Sequence, residues 1–102
     1  MRLVGAFRPS TAWSRPGRRP AVTGGANSPD GSKVVLRTYT TAYEFDVYGG
    51  DVIGAITRGQ PRTTSLLGEP GGEAIAYNPA GTAFYTVCDQ KGPTTVRRYW
   101  PF

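Results

Sequence analysis

A turn motif that occurs twice restricts the fold of this chain more than any other feature of its sequence. Residues 28–32 read Ser-Pro-Asp-Gly-Ser, and residues 78–82, fifty positions later, read Asn-Pro-Ala-Gly-Thr. In both copies Ser or Asn can accept hydrogen bonds from the turn backbone, Pro presets φ, and Gly supplies a left-handed residue. A period of this length indicates a chain assembled from repeated supersecondary units.

Short segments of strand-like sequence flank both turns. The predicted strands are 22–27, 33–39 and 42–47 in the first copy and 73–77, 83–87 and 95–100 in the second. Within residues 42–47 large apolar side chains alternate with Ala, Glu and Asp, which is the period of a half-buried strand. Residues 96–99 parallel residues 42–45 at an offset of 54. The two copies therefore predict an all-β fold, with two antiparallel sheets packed face to face.

The stretch between the copies permits two interpretations. Asp51 can cap a short helix over residues 51–57, which leaves 63–67 as the fourth strand of the first sheet. The alternative is a strand over 51–57, because this segment contains Val and Ile. We predict the helix, since it gives the first copy a complete set of four strands.

Charge divides the chain into an arm and a folded part. The five basic residues before position 22 are all arginines, and no Asp or Glu accompanies them. From residue 22 onward seven basic and seven acidic side chains balance, so the net charge of +5 belongs to the arm. We predict a disordered basic arm over 1–21, a first repeat over 22–68 and a second, incomplete repeat over 69–102. The arm is interpreted as a solvated tail, with contact to phosphates or anionic lipid as the alternative.

Scarce residue types exclude several kinds of chemistry. The chain has one cysteine, Cys88, and no histidine. An intrachain disulfide, a zinc, haem or iron–sulfur site and histidine-dependent catalysis are therefore not expected. No apolar stretch approaches the roughly 20 residues of a membrane span, and no convincing signal peptide is visible. The chain is predicted to be soluble, and its compartment is left open.

The repeated turn and its flanking strands resemble the Ser-Pro-Asp-Gly class of β-propeller repeats, which includes periplasmic Tol-type, peptidase-attached and phytase-like secreted propellers. The resemblance covers residues 22–100, although Ala80 replaces the Asp of the pattern in the second copy. Residues 72–77 resemble the first inner strand of phytase-like and lactonase-like propellers. Propellers have about four to eight blades, and this chain offers fewer than two. A truncated or frameshifted gene product, a ring built from several chains, and an independent sandwich of two blades all stay open.

The resemblance implies a non-catalytic propeller-type module, or a fragment of one, that acts as a binding or interaction scaffold. Open blade edges imply self-association, alongside an unknown protein or small-molecule ligand. The first alternative is a remnant of a secreted phytase-like or lactonase-like hydrolase. The second is weak nucleic-acid binding through the basic arm, whereas the neutral folded part is not expected to bind nucleic acid. No cofactor is expected, apart from calcium in the hydrolase alternative.

Few side chains suggest a ligand site, and none is predicted to be catalytic. In the resembling propellers an acidic residue at the place of Glu73 can face the channel, but a lone carboxylate is far from the six to eight oxygen ligands typical of calcium. Arg37, Tyr39 and Tyr43 lie around one hairpin and could form a ligand-facing patch, although cross-strand pairing explains them equally well. Alternation places Glu44 and Asp46 together on the solvent-facing side of their strand. Asp30 is explained by its turn.

Overall fold

The computed structural model describes residues 22–66, 74–88 and 95–99. The predicted arm over 1–21 lies outside this part of the chain. The described residues form β1 (Gly24–Asn27), β2 (Lys33–Arg37), β3 (Thr41–Asp46), α1 (Val52–Arg58), β4 (Arg62–Ser65), β5 (Ala74–Tyr77), β6 (Phe84–Cys88) and β7 (Thr95–Tyr99). One antiparallel sheet has the order β1-β2-β3-β4 and the other β5-β6-β7. The all-β prediction is confirmed, and so is the short helix that precedes the fourth strand.

The two copies of the turn motif adopt the same local structure. Gly31 N donates to Ser28 O at 3.0 Å, and Gly81 N donates to Asn78 O at the same distance. Both glycines have positive φ, 75° and 70°, a conformation that side chains with a Cβ rarely adopt. The Ser28 hydroxyl accepts from a backbone N–H, as does the Asn78 amide oxygen. Each turn therefore joins two strands of its own sheet, β1 to β2 and β5 to β6.

The pairing register also repeats between the two sheets. Val34 pairs with Phe45 in the first sheet, and Phe84 pairs with Tyr99 in the second. The offset is 50 residues for the first two strands of each copy and 54 for the third, as the sequence comparison predicted. Residues at these offsets therefore occupy equivalent places in the two sheets.

The two sheets meet across one continuous apolar cluster. Val35, Ala42 and Leu66 of the first sheet and its flank are fully buried, and they pack with Ile75 and Phe84 of the second sheet. We call the face of each sheet that carries the positions of Val35 and Ala42 its front face. Burial of these side chains, at roughly 25 cal/mol per Å² of apolar surface, provides the main attraction between the sheets.

Helix α1 covers the opposite side of the first sheet, which we call the back face and define by Val34 and Phe45. The buried residues there are Val34, Tyr43, Phe45 and Val47, and the partly buried residues packed on them are Leu36, Val52, Ala55 and Ile56. Asp51 begins the helix by accepting a hydrogen bond from Gly54 N at 2.9 Å. A short helix thus closes one side of the first sheet.

The sheets are stacked head to tail. Phe84 and Tyr99, which pack toward the first sheet, are equivalent by register to Val34 and Phe45. The front face of the first sheet consequently covers the back face of the second, while α1 covers the back face of the first. The front face of the second sheet points away from both layers.

Candidate functional site

A partly buried ionic network lies between the sheets, and we call its four residues, Glu44, Asp46, Arg62 and Tyr77, the polar seam. Arg62 Nη2 donates to Glu44 Oε1 at 2.8 Å and to Asp46 Oδ1 at 2.9 Å. Arg62 Nη1 reaches Asp46 Oδ2 at 2.9 Å, and Nε reaches Glu44 Oε1 at 3.2 Å. The Tyr77 hydroxyl donates to Glu44 Oε2 at 2.7 Å. One arginine thus binds two carboxylates, and a phenol from the second sheet completes the network.

Strand register brings these side chains together. β4 pairs with β3 so that Arg62 lies directly opposite Glu44. Asp46 follows two residues later and therefore lies on the same face of β3. Tyr77 ends β5, and its ring packs against the apolar cluster between the sheets. The seam thus links the middle of the first sheet to the first strand of the second.

Burial and hydrogen bonding shift the pKa values of Tyr77, Asp46 and Arg62. Burial, and then the bond to Glu44, raises the pKa of the Tyr77 phenol, so this hydroxyl stays a donor. The bond from Arg62 lowers the pKa of Asp46, and the bonds to Asp46 and Glu44 raise the pKa of Arg62. The charged forms of Asp46 and Arg62 are thereby stabilised. Such an arrangement holds the two layers in register.

The sequence prediction placed both carboxylates of β3 in solvent, and for Glu44 this was wrong. Only 5% of Glu44 is exposed, because the second sheet covers the front face of the first. Asp46, two residues farther along β3, is exposed. Alternation identified the face that the two residues share but not the layer that covers it.

Arg37 forms a second polar link between the sheets. Arg37 is fully buried. Its Nε donates to Thr38 O at 3.0 Å, and its Nη1 donates to Ala74 O at 3.3 Å. Lys33 adds a third link, from Nζ to Gly81 O at 3.2 Å. Burying the Arg37 guanidinium is tolerated because backbone carbonyls replace water at its Nε and Nη1 atoms.

The structure does not assemble the predicted patch of Arg37, Tyr39 and Tyr43. Arg37 pairs with Ala42 and lies on the front face, whereas Tyr43 pairs with Leu36 and lies on the back face. Both are buried, and Tyr39 alone is substantially exposed, at 40%. Arg37 is next to Leu36, the partner of Tyr43, and adjacent positions of a strand point to opposite sides of a sheet, so Arg37 and Tyr43 share no surface.

The remaining acidic candidates have different outcomes. Glu73 lies outside the described residues, and calcium binding there stays a prediction. Within the described ranges no group of three or more Cys, Asp or Glu residues could hold a metal ion. Asp30 Oδ1 accepts from Ser32 N, Ser32 Oγ and Ser28 Oγ at 2.7–3.0 Å. These bonds lower the pKa of Asp30 to about 2. The carboxylate therefore has a structural role, because it accepts the hydrogen bonds that hold the turn.

A shallow depression of about 230 Å³ lies where β3 meets α1. Its charged lining residues pair with one another or with the seam, since Arg58 binds Asp51 at 3.1 Å and Arg62 binds Asp46. Asp51 also caps the helix. The arrangement therefore has a structural explanation and points to no substrate.

The front face of the second sheet is exposed, although most of its side chains are apolar or aromatic. Its residues are Ala74, Ala76, Tyr85, Val87, Val96 and Arg98. Val96 is 62% exposed, yet its equivalent in the first sheet, Ala42, is fully buried. Tyr85 is equivalent to fully buried Val35 and is only partly covered. The sequence comparison predicted an open blade face but not its residues, because the pairing register of both sheets is needed to tell which face is covered.

No helix in the described part of the chain is both long and apolar enough to cross a membrane. Comparison of the chain with protein families, with curated proteins and with solved structures found no match.

Proposed function

We propose that this chain is a non-catalytic, β-propeller-type interaction module that associates with a second copy through the front face of its second sheet. The observation that carries the proposal is the equivalence of exposed Val96 with buried Ala42. Ala42 in the first sheet is covered by the second sheet. A further sheet that covers Val96 in the same way removes the exposed apolar surface of the second sheet from water.

The chemistry of the face favours contact with another apolar sheet. Ala74 and Ala76 are small and allow close approach, while Tyr85, Val87 and Val96 supply apolar contact area. Valine and tyrosine are also common at sheet surfaces that pack. No catalytic group is needed for this role.

Helix α1 determines how two copies can meet. Head-to-tail growth requires the back face of the first sheet, where α1 already packs on Tyr43 and Phe45. The available arrangement pairs the two front faces about a twofold axis, which closes after two copies. The proposal is therefore a dimer, in place of the ring of several chains.

The size of the face predicts a weak dimer. Three strands of four or five residues measure roughly 16 by 14 Å, using about 3.3 Å per residue and about 4.8 Å between strands. That footprint is far below the roughly 800 Å² per partner of a standard interface. Association is accordingly expected at high micromolar concentration or above.

Sedimentation equilibrium over a concentration series tests the proposal. The average mass of the unaltered chain should rise from 11.0 kDa toward twice that value and then level off. Val96→Asp replaces apolar contact area in the interface with a charged side chain, whose loss of hydration opposes association, and should keep the chain monomeric. Ile53→Asp is the matched control, because Ile53 is also an exposed aliphatic residue, 54% exposed, but lies on α1.

Three outcomes would contradict the dimer. One is a chain that stays monomeric at millimolar concentration. Another is equal association of the Val96→Asp and Ile53→Asp variants. The third is a continuous ladder of masses, which would mean that the stack grows without closing. Circular dichroism of both variants must first show that the strands are retained.

A further inference from the structure

The first turn contains the only Asp-Gly pair of the sequence, Asp30 and Gly31, and the sequence has no Asn-Gly pair. An aspartate followed by glycine is especially prone to rearrange its own backbone, because glycine has no Cβ to hinder attack on the aspartyl side chain. Both residues are exposed. The turn that identifies the repeat thus contains a chemically labile peptide bond.

The rearrangement needs no reactant other than water. The Gly31 nitrogen bonds to Asp30 Cγ, the Cγ–OH bond breaks, and the hydroxyl leaves with the amide proton as water. Water then opens the resulting cyclic imide at one of its two carbonyl carbons. Opening at Cγ restores the aspartate. Opening at the main-chain carbonyl carbon leaves the chain running through Cβ and Cγ, which is an isoaspartyl residue with one extra backbone atom.

Hydrogen bonds hold both reacting groups of the closed turn in other contacts. Gly31 N donates to Ser28 O at 3.0 Å. Asp30 Oδ1 accepts from Ser32 Oγ at 2.7 Å, from Ser28 Oγ at 2.8 Å and from Ser32 N at 3.0 Å. Ring closure requires the carboxyl group to leave these donors and Gly31 N to leave its acceptor. The two serine hydroxyls therefore oppose the reaction while the turn is closed.

The same bonds keep the carboxyl group ionised. The bond from Ser32 N, followed by those from the Ser32 and Ser28 hydroxyls, lowers the pKa of Asp30 from 3.8 to about 2. The imide forms from the protonated carboxyl group, because its hydroxyl must leave. At pH 5 the protonated fraction of Asp30 in the closed turn is thus more than about tenfold below that in the unfolded chain.

The second turn has the same backbone hydrogen bond but lacks the labile pair. Ala80 stands where the first turn has Asp30, so no carboxyl group is present to be attacked. Asn78 is followed by Pro79, whose nitrogen has no proton to release in ring closure. The repeat is therefore labile in the first of its two turns, and the second serves as an internal control.

We propose that Asp30 and Gly31 form a site of isoaspartate formation, and that the hydroxyls of Ser28 and Ser32 set its rate by holding the first turn closed. The modified turn has to accommodate an extra backbone atom between Ser28 and Lys33, which are joined by a bond of 2.9 Å from Ser28 N to Lys33 O. Isomerisation therefore weakens the hairpin of β1 and β2. The inference goes beyond the proposed dimer and does not depend on it.

Incubation at pH 5, followed by mass spectrometry of the tryptic peptide that ends at Lys33, measures the reaction. The isoaspartyl and aspartyl peptides have the same mass and separate by chromatography. The folded chain should isomerise at least about tenfold more slowly than the chain unfolded in urea. Ser32→Ala removes one donor to the carboxylate and should speed isomerisation of the folded chain about fivefold, the size expected for the loss of one hydrogen bond.

Thr82→Ala is the matched control. Thr82 is the exposed equivalent of Ser32 in the second turn, and its Oγ1 accepts from Asn78 Nδ2 at 3.0 Å. This variant should leave the rate at Asp30 unchanged. In urea the unaltered chain and both variants should isomerise at one common rate, since neither substitution changes the Asp-Gly pair itself. Circular dichroism first shows that both variants retain their strands.

The proposal is overturned if the folded and the unfolded chain isomerise equally fast, or if Ser32→Ala and Thr82→Ala behave alike. Isoaspartate that forms at another residue and not at Asp30 would also overturn it. A chain that fails to dimerise has no bearing on these outcomes.

Discussion

At the scale of single residues, the unusual feature is the burial of Glu44 in an all-β chain. A buried carboxylate without partners is unfavourable by several kcal/mol. Here it is balanced by Arg62 from the next strand and by Tyr77 from the other sheet. The ion pair between Arg62 and Glu44 also fixes the register of β4 against β3, because a one-residue slip of β4 would move Arg62 to the opposite face.

The Tyr77 hydroxyl should contribute measurably to stability. Tyr77→Phe removes a donor to a buried charged acceptor, and we expect a loss of about 2 kcal/mol in the free energy of unfolding. Tyr48→Phe is the control, since Tyr48 is 80% exposed and should change stability by less than about 0.5 kcal/mol. Urea unfolding monitored by circular dichroism measures both. Equal effects of the two substitutions would mean that the bond to Glu44 does not stabilise the fold.

Acid should weaken the first turn through Asp30. The pKa of Asp30 is lowered from 3.8 to about 2 by bonds from Ser32 and Ser28. A group with a lowered folded pKa stabilises the fold above its unfolded pKa and loses this contribution as pH falls through the folded value. Between pH 6 and pH 2.5 the unaltered chain should therefore lose more stability than Asp30→Asn. Parallel losses in urea titrations at the two pH values would exclude this role.

At the scale of elements, α1 is a short helix stabilised more by its cap and its packing than by its length. Seven residues are too few for an independent helix in water. The Asp51 side chain accepts from Gly54 N, and Val52 and Ile56 pack on the back face of the first sheet. The helix therefore depends on the sheet that it covers.

The two roles of Asp51 can be separated by substitution. Asp51→Ala removes the cap and should lower the free energy of unfolding by about 1 kcal/mol. Asp51→Ser keeps an acceptor for the cap but loses the ion pair with Arg58, whose side chain is 74% exposed. Because exposed pairs contribute little, Asp51→Ser and Arg58→Ala should each cost only a few tenths of a kcal/mol. If Asp51→Ser is as destabilising as Asp51→Ala, the ion pair is the important contact.

The elements were largely predictable from sequence, and the polar seam was not. Turn residues with a defined φ and donor pattern located both hairpins, and alternation located β3. Alternation cannot say which layer covers each face, so Glu44 was assigned to solvent. Arg37 and Tyr43 form no shared patch for a related reason: two residues of one hairpin can lie on opposite faces of its sheet.

At the scale of the whole molecule, the sheets form a stack whose two ends are different. One end is closed by α1, and the other exposes Val96 and its apolar neighbours. Repeat proteins commonly need such closing elements at their ends. The repeat itself could be recognised from the spacing of two turns, but the polarity of the stack required the pairing register of both sheets.

The head-to-tail contact also has a consequence for the order of folding. Every strand pair within a sheet joins strands that are neighbours in sequence, and all of them except β3 and β4, which flank α1, can form by closing a short loop. The two sheets instead meet between β1 and β5, about fifty residues apart, and closing a loop of that length is slower and entropically more costly. The seam from Glu44 to Tyr77 therefore belongs to the late part of folding. Substitutions there are expected to speed unfolding while leaving the rate of hairpin formation unchanged.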